Sequence, residues 1–250
     1  MSSIYKGILN SLKESRKGFA VLVDPDKSTL EEVKELSFCA QACGVDYIFV
    51  GSSLLTNGSM ERCIEAIKEF CNIPVLLFPG NTLQVNPLAD GILYLSLISG
   101  RNPEMLIGNH IISAPLVKAA GLEVIPTGYM LVESGNITTV SYMSNTIPMP
   151  RGKNDIAACT AMAGEMLGLK LMYLEAGSGA ERMVPPEMIQ AVKKSVGVPL
   201  IVGGGICSAE MAEVCCKAGA DIIVVGNALE KDLTLMEGMC QAVHDVVSVS

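Results

Sequence analysis

Eight short apolar runs, almost unbroken by polar residues, recur along this 250-residue sequence. They are FAVLVD (19–24), DYIFVG (46–51), PVLLFPG (74–80), GILYLSL (91–97), LEVIPTGYMLV (122–132), LMYLEAG (171–177), PLIVGGG (199–205) and DIIVVGN (221–227). A strand that faces water on one side alternates apolar and polar residues, whereas a strand buried on both faces does not. The runs therefore predict parallel strands covered on both sides. Helical patterns lie between most of them, at 29–43, 60–70, 103–120, 156–167, 186–196, 209–218 and from Leu233 onward. Start signals stand at Pro185-Pro186 and Ser208, and stop signals at Gly44, Gly121, Gly168, Gly197 and Gly219. Eight strands alternating with helices predict an α/β fold, a (β/α)8 TIM barrel rather than an open sheet.

Internal similarity supports repeated βα units. NIPVLLFPGN (72–81) resembles GVPLIVGGGI (197–206), and CGVDYIFVGSS (43–53) resembles AGADIIVVGNA (218–228). One unit breaks the pattern: only 81–90 separates the third and fourth strands, and Pro87 sits in it. A crossover with its helix needs at least about 10–12 residues. The barrel is therefore expected to be modified, its third helix missing or replaced by an extended segment. The stretch 134–155 is a second irregularity, with Gly135-Asn136, Pro148, Pro150 and Gly152, and could form a loop over the barrel mouth. Length alone allows one domain or two. No linker or low-complexity tract divides residues 1–250, so a single domain is expected.

The chain is 50% hydrophobic and 18% charged, which excludes intrinsic disorder. With six Tyr, five Phe and no Trp, the core must be mainly aliphatic. A net charge of −8 without a basic stripe argues against nucleic acid as a partner. The nine cysteines contain no C-x-x-C, and His110 and His244 pair with no cysteine cluster. Most of the cysteines read as small core hydrophobes in a reduced, cytoplasmic protein. The first twenty residues lack the apolar core of a signal peptide, and no run is long enough to span a membrane.

In a barrel the C-terminal ends of the strands carry the chemistry. Three consecutive ones here are glycine-rich: Glu175-Ala176-Gly177-Ser178-Gly179, Gly203-Gly204-Gly205 and Gly226-Asn227-Ala228. Glycine lets backbone N–H groups approach an anion, and a following helix N-terminus adds favourable partial charge. A phosphate-bearing substrate is expected there. Asp24 ends the first strand and reads either as a helix cap or, with a hydroxyl from Ser53, as a Mg²⁺ ligand. Asp26 serves as a second ligand or serves its turn; Ser52 reads as a loop residue. Glu175 interrupts an apolar strand at its mouth end and is the candidate general base, a salt bridge being the structural alternative. Lys27 is a Schiff-base candidate or, more simply, a solvated loop lysine. His110 and Arg101 lie at the fourth helix and are assigned no catalytic role.

VDPDK (23–27), VGSS (50–53), LLFPGN (76–81), LYLSLISGRNP (93–103), GYMLVESG (128–135), YLEAGSGA (173–180), VGGGI (202–206) and VGNALE (225–230) run in order through most of the chain. In this order they resemble the geranylgeranylglyceryl phosphate synthases and their heptaprenylglyceryl phosphate relatives. The resemblance implies a modified TIM barrel with a replaced third helix. It also implies Mg²⁺-assisted prenyl transfer from a polyprenyl diphosphate, geranylgeranyl diphosphate for preference, to the hydroxyl of sn-glycerol 1-phosphate. Glycerol phosphate would be held by Tyr173, Leu174, Glu175, Ala176, Gly177, Ser178, Gly179, Gly204, Gly205, Gly226 and Asn227. Mg²⁺ would sit on Asp24 and Ser53, although the second-strand motif reads Gly51-Ser52-Ser53 where many members have Gly-Gly-Ser. Glu175 would take the hydroxyl proton. A homo-oligomer and peripheral membrane contact are further expectations. The competing readings are a sugar-phosphate isomerase or lyase on the same scaffold, and a non-catalytic phospholigand-binding barrel.

Overall fold

Strands that are apolar on both faces must be covered on both faces, and closing the sheet on itself also removes its edges. In the computed structural model, which describes residues 3–246, the eight runs pair in sequence order as a closed parallel barrel. The strands are β1 (Gly18–Val23), β2 (Tyr47–Val50), β3 (Val75–Leu77), β4 (Gly91–Leu97), β5 (Glu123–Leu131), β6 (Leu171–Glu175), β7 (Leu200–Gly203) and β8 (Ile222–Val225). Closure is made by β1 on β8, with Gly18 opposite Ile222. The helices are α1 (Ile4–Lys13), α2 (Leu30–Cys43), α3 (Met60–Phe70), α4 (Asn109–Ala120), α5 (Thr139–Ser144), α6 (Asn154–Met166), α7 (Pro186–Ser195), α8 (Ala209–Ala218), α9 (Asn227–Lys231) and α10 (Leu235–His244).

Side-chain alternation along each strand divides the core in two. Phe49, Leu93, Tyr129, Tyr173 and Ile201 fill the barrel interior. Val21, Ile48, Leu174, Val202 and Ile223 face outward onto helix residues such as Ile64, Ile189 and Met239. Each such buried side chain contributes roughly 1.5–3 kcal/mol relative to exposure.

The β3–β4 connection contains a single 3-10 turn, Thr82–Gln84, and no α-helix. This is the shortest of the crossovers, and Pro87 stands in it. Three helices have no counterpart in the helical patterns of the sequence: α1, α5 and the five-residue α9. Helix α1 closes the lower end of the barrel, where Ile8 joins the interior core and Glu123 accepts the N–H groups of Ile4 and Tyr5 at 2.6 and 2.9 Å. Helix α5 lies in the 134–155 stretch and brings Val140, Met143 and Ser144 over the barrel wall.

The repeated glycine–acid–strand pattern has a structural cause. Phe19 N–H donates to Asp46 Oδ2, Val75 N–H to Asp90 Oδ2 and Leu200 N–H to Asp221 Oδ2, each at 2.8 Å. In each case the acid before one strand ties down the start of the preceding strand. Each has a cation as well: His244, Lys68, and the pair Lys17 and Lys193, respectively.

All nine cysteines are free. Cys63, Cys71, Cys215, Cys216 and Cys240 are buried as expected, whereas Cys159 and Cys207 are exposed. No helix among the described residues is long and apolar enough to cross a membrane.

Candidate active site

Strand β6 builds the centre of the barrel mouth. Alternation turns Tyr173 and Glu175 inward, and the same alternation corrects two expected contacts. The side chains of Leu174 and Ala176 are fully buried in the outer core layer and do not line the mouth. Glu175 is 5% exposed and makes no salt bridge among the described residues, so the structural alternative does not hold. Its Oε1 accepts the Gly177 N–H at 2.7 Å, and the Tyr173 hydroxyl lies beside the carboxylate without forming a well-aligned hydrogen bond to it. Burial raises its carboxyl pKa above the usual range, against the opposing pull of the Gly177 N–H and the Tyr173 hydroxyl.

Tyr173 is wholly buried, its ring 5.4 Å from Phe78 and 5.5 Å from Tyr129. Its hydroxyl lacks a hydrogen bond of good geometry among the described residues. Burial and the Glu175 charge hold the phenol protonated by raising its pKa. A buried donor left open at a cavity suits a polar ligand atom.

The glycine loops surround this pair. Gly177 and Gly204 have φ of 96° and 82°, the left-handed region that side chains resist. A Cβ on Gly204 would also strike Glu175 Oε1 and the Gly177 backbone. Gly205 and Gly179 are left-handed too, at 71° and 75°. Successive left-handed residues, as at Gly204 and Gly205, belong to the backbone geometry of anion-binding loops. Gly226 precedes α9, and Asn227 Oδ1 accepts the Ser178 hydroxyl at 3.0 Å. With Asp24 across the mouth, these loops enclose a cavity of about 870 Å³.

Opposite them, Asp24 Oδ2 accepts the Ser52 hydroxyl at 3.1 Å and Oδ1 accepts the Asp26 N–H at 3.1 Å. The hydroxyl at Asp24 is therefore that of Ser52, where the resemblance implies Ser53. Ser53 lines the cavity, but its side chain makes no hydrogen bond among the described residues. Gln84, from the 3-10 turn, sets this arrangement. Its buried amide accepts the Ser52 N–H at 3.2 Å and donates to the Ser52 carbonyl at 2.7 Å.

Asp26 serves not its own turn but the loop that follows β2. Its carboxylate accepts the N–H groups of Thr56, Asn57 and Gly58 and the Thr56 hydroxyl. Burial alone would raise its pKa, but these donors bring it down to about 2. Lys27 is not simply solvated: it donates to Ser178 Oγ at 3.0 Å and lies 3.6 Å from Asp24 Oδ2 and 3.9 Å from Glu230 Oε2. Glu230 and Gln84 were missed by sequence reasoning. The only signal for Glu230 was its place in the VGNALE run, and Gln84 offered none.

A second cavity, about 310 Å³, adjoins the first where the third helix would lie. Both share Ser52, Ser53, Phe78, Tyr129 and Val140. Its further walls include Val85, Ile92, Tyr94, Leu95, Leu97 and Met105. His110 is in this wall, packed edge-on against Tyr94 with centroids 4.6 Å apart, and burial lowers its pKa. Arg101 donates to the Gly100 carbonyl at 2.7 Å and does not line either cavity.

A buried carboxylate, a set of left-handed glycine turns and an apolar annexe are therefore combined in one mouth. A model described as the PcrB family matches residues 10–247. The chain belongs to the PcrB family. Among its relatives in sequence, the geranylgeranylglyceryl phosphate synthase of Chitinophaga pinensis is 52% identical over 248 residues, covering 99% of this chain and 98% of that one. The enzyme of the same name from Thermococcus kodakarensis is 47% identical over 219 residues, covering 87% and 86%. The crystal structure of (S)-3-O-geranylgeranylglyceryl phosphate synthase from Thermoplasma acidophilum, in complex with sn-glycerol-1-phosphate, superposes with a TM-score of 0.92 at 30% identity. That match covers 98% of this PcrB family chain and all of the other.

Proposed function

We propose that the chain is a prenyltransferase that joins a polyprenyl diphosphate to the free hydroxyl of sn-glycerol 1-phosphate. The observation that carries this reading is the position of Glu175. It faces a mouth walled by three glycine loops, and that mouth opens sideways into an apolar cavity. A sugar-phosphate isomerase has no use for the apolar annexe, and a simple phosphate binder has no use for a buried, unpaired carboxylate.

In the reaction the allylic C–O bond to the diphosphate breaks, with the electron pair leaving on pyrophosphate. The glycerol oxygen bonds to the prenyl carbon, and its proton passes to Glu175. The raised pKa makes Glu175 a stronger base than a solvent-exposed carboxylate. Gly177, Gly179, Gly204, Gly205, Gly226 and Asn227 orient the glycerol phosphate, with the open Tyr173 hydroxyl available to a glycerol oxygen. The second cavity takes the prenyl tail and keeps water from the developing positive charge.

Oxygen donors, one carboxylate and one hydroxyl at the mouth, fit Mg²⁺, which takes one or two protein ligands beside substrate phosphates. Asp24 and a serine of the 52–53 pair would hold it, and when bound it supplies charge neutralisation for the diphosphate. Exposed apolar side chains on α4, Ile111, Ile112 and Leu116, support self-association of the chain. The nine free thiols support a reducing, cytoplasmic setting, with peripheral membrane contact to collect the prenyl substrate.

The test is to incubate purified protein with labelled sn-glycerol 1-phosphate, Mg²⁺, and farnesyl, geranylgeranyl or heptaprenyl diphosphate. A labelled, solvent-extractable prenyl ether is expected. No ether with any of the three diphosphates would overturn the reading.

A further inference from the structure

Lys27, Asp24 and Glu230 meet on one side of the mouth, one ammonium between two carboxylates. The side chains of Asp24 and Glu230 are only 13% and 17% exposed, so neither charge is fully solvated. Burial raises the Glu230 carboxyl pKa, the Lys27 ammonium lowers it and the Asp24 charge raises it again. The ammonium also reaches across to the phosphate loop, donating to Ser178 Oγ, which in turn donates to Asn227. It therefore touches both halves of the site, the carboxylate side and the anion side.

A divalent cation at Asp24 would stand beside this ammonium, and like charges that close repel. A diphosphate arriving with the cation at Asp24 removes the conflict, because it offers the ammonium a new anionic partner in place of that carboxylate. We propose that Lys27 is the resident counter-ion of Asp24 and makes divalent-cation binding there conditional on an anionic substrate, whose diphosphate takes over the ammonium. The proposal rests on the prenyl transfer reading for the identity of that anion. Lys27 is thus a diphosphate-binding and positioning residue rather than a Schiff-base nucleophile. Glu230 keeps the ammonium at the site in both states.

The experiment titrates Mn²⁺, as a paramagnetic stand-in for Mg²⁺, into the substrate-free protein and its Lys27→Met and Lys27→Arg variants. Removing the competing charge should tighten substrate-free Mn²⁺ binding by up to about fivefold, the scale of a partly exposed ion pair. Lys27→Arg should stay within about twofold of the parent. Adding Asp24→Asn to Lys27→Met should abolish the gain and so locate it at Asp24. In turnover, Lys27→Met should raise KM for the prenyl diphosphate more than it lowers kcat. Equal Mn²⁺ affinity in the parent and Lys27→Met would overturn the proposal. A protein that transfers no prenyl group would overturn the prenyl reading alone, since the substrate-free titration needs no turnover.

Discussion

Glu175 Oε1 accepts the Gly177 N–H at 2.7 Å, which pins the carboxylate from one side at the wall of the mouth. A base held this way is oriented before substrate arrives, and orientation is a large part of what a general base contributes. Glu175→Gln keeps the shape and the Gly177 contact but cannot take a proton. Turnover should fall about 10²–10⁴-fold, with glycerol 1-phosphate affinity nearly unchanged in a calorimetric titration. Because burial raises the pKa of this group, the acid limb of kcat should lie above the ordinary carboxylate range. Activity should rise as pH climbs through that value and Glu175 loses its proton. A Gln variant with parental turnover would remove Glu175 from the mechanism.

Ser52 and Ser53 should separate when each is changed to Ala. Only the Ser52 hydroxyl contacts Asp24, so Ser52→Ala should raise the Mg²⁺ concentration needed for half-maximal activity more than Ser53→Ala does. The reverse order would return the metal-ligand role to Ser53.

The apolar cavity makes a steric prediction. Leu95 is a half-buried wall residue, and Leu95→Trp would fill part of about 310 Å³. Competition between geranyl and geranylgeranyl diphosphates should then shift toward the shorter chain by about tenfold or more, the scale of a few displaced methylenes. An unchanged ratio would mean that the tail lies elsewhere.

At the other end of the barrel, Asp221 is 3% exposed and takes Lys17, Lys193 and the Leu200 N–H. Asp221→Ala leaves the equally buried Lys17 ammonium without its partner. Such breaks cost about 3–5 kcal/mol, to be read from urea unfolding by circular dichroism. A loss below about 1 kcal/mol would show that solvent replaces the carboxylate.

The barrel was readable because its cause is local. A strand covered on both faces is written as a continuous apolar run, and the shortest gap between two such runs, with Pro87 in it, is where the helix is missing. Even the recurring acid before β2 and β8 was visible, although its task, tying down the neighbouring strand, was not. Glu175 could be singled out for the same reason, as one charge in an apolar strand. Helix α1 went unread although Ile4, Ile8 and Leu12 recur at helical spacing, because it precedes β1 and stands outside the alternation of strands and helices.

The arrangement of the mouth was decided in three dimensions. Ser52 rather than Ser53 turns to Asp24 while Gln84, 32 residues away, clamps the Ser52 backbone. Lys27 reaches Ser178 across 151 residues of chain, and Leu174 turns away from a motif whose neighbours turn in. Periodicity and spacing record what each segment must bury, and so they carry the fold. Side-chain direction and charge pairing depend on which loops the closed barrel brings face to face, and that is settled only by packing.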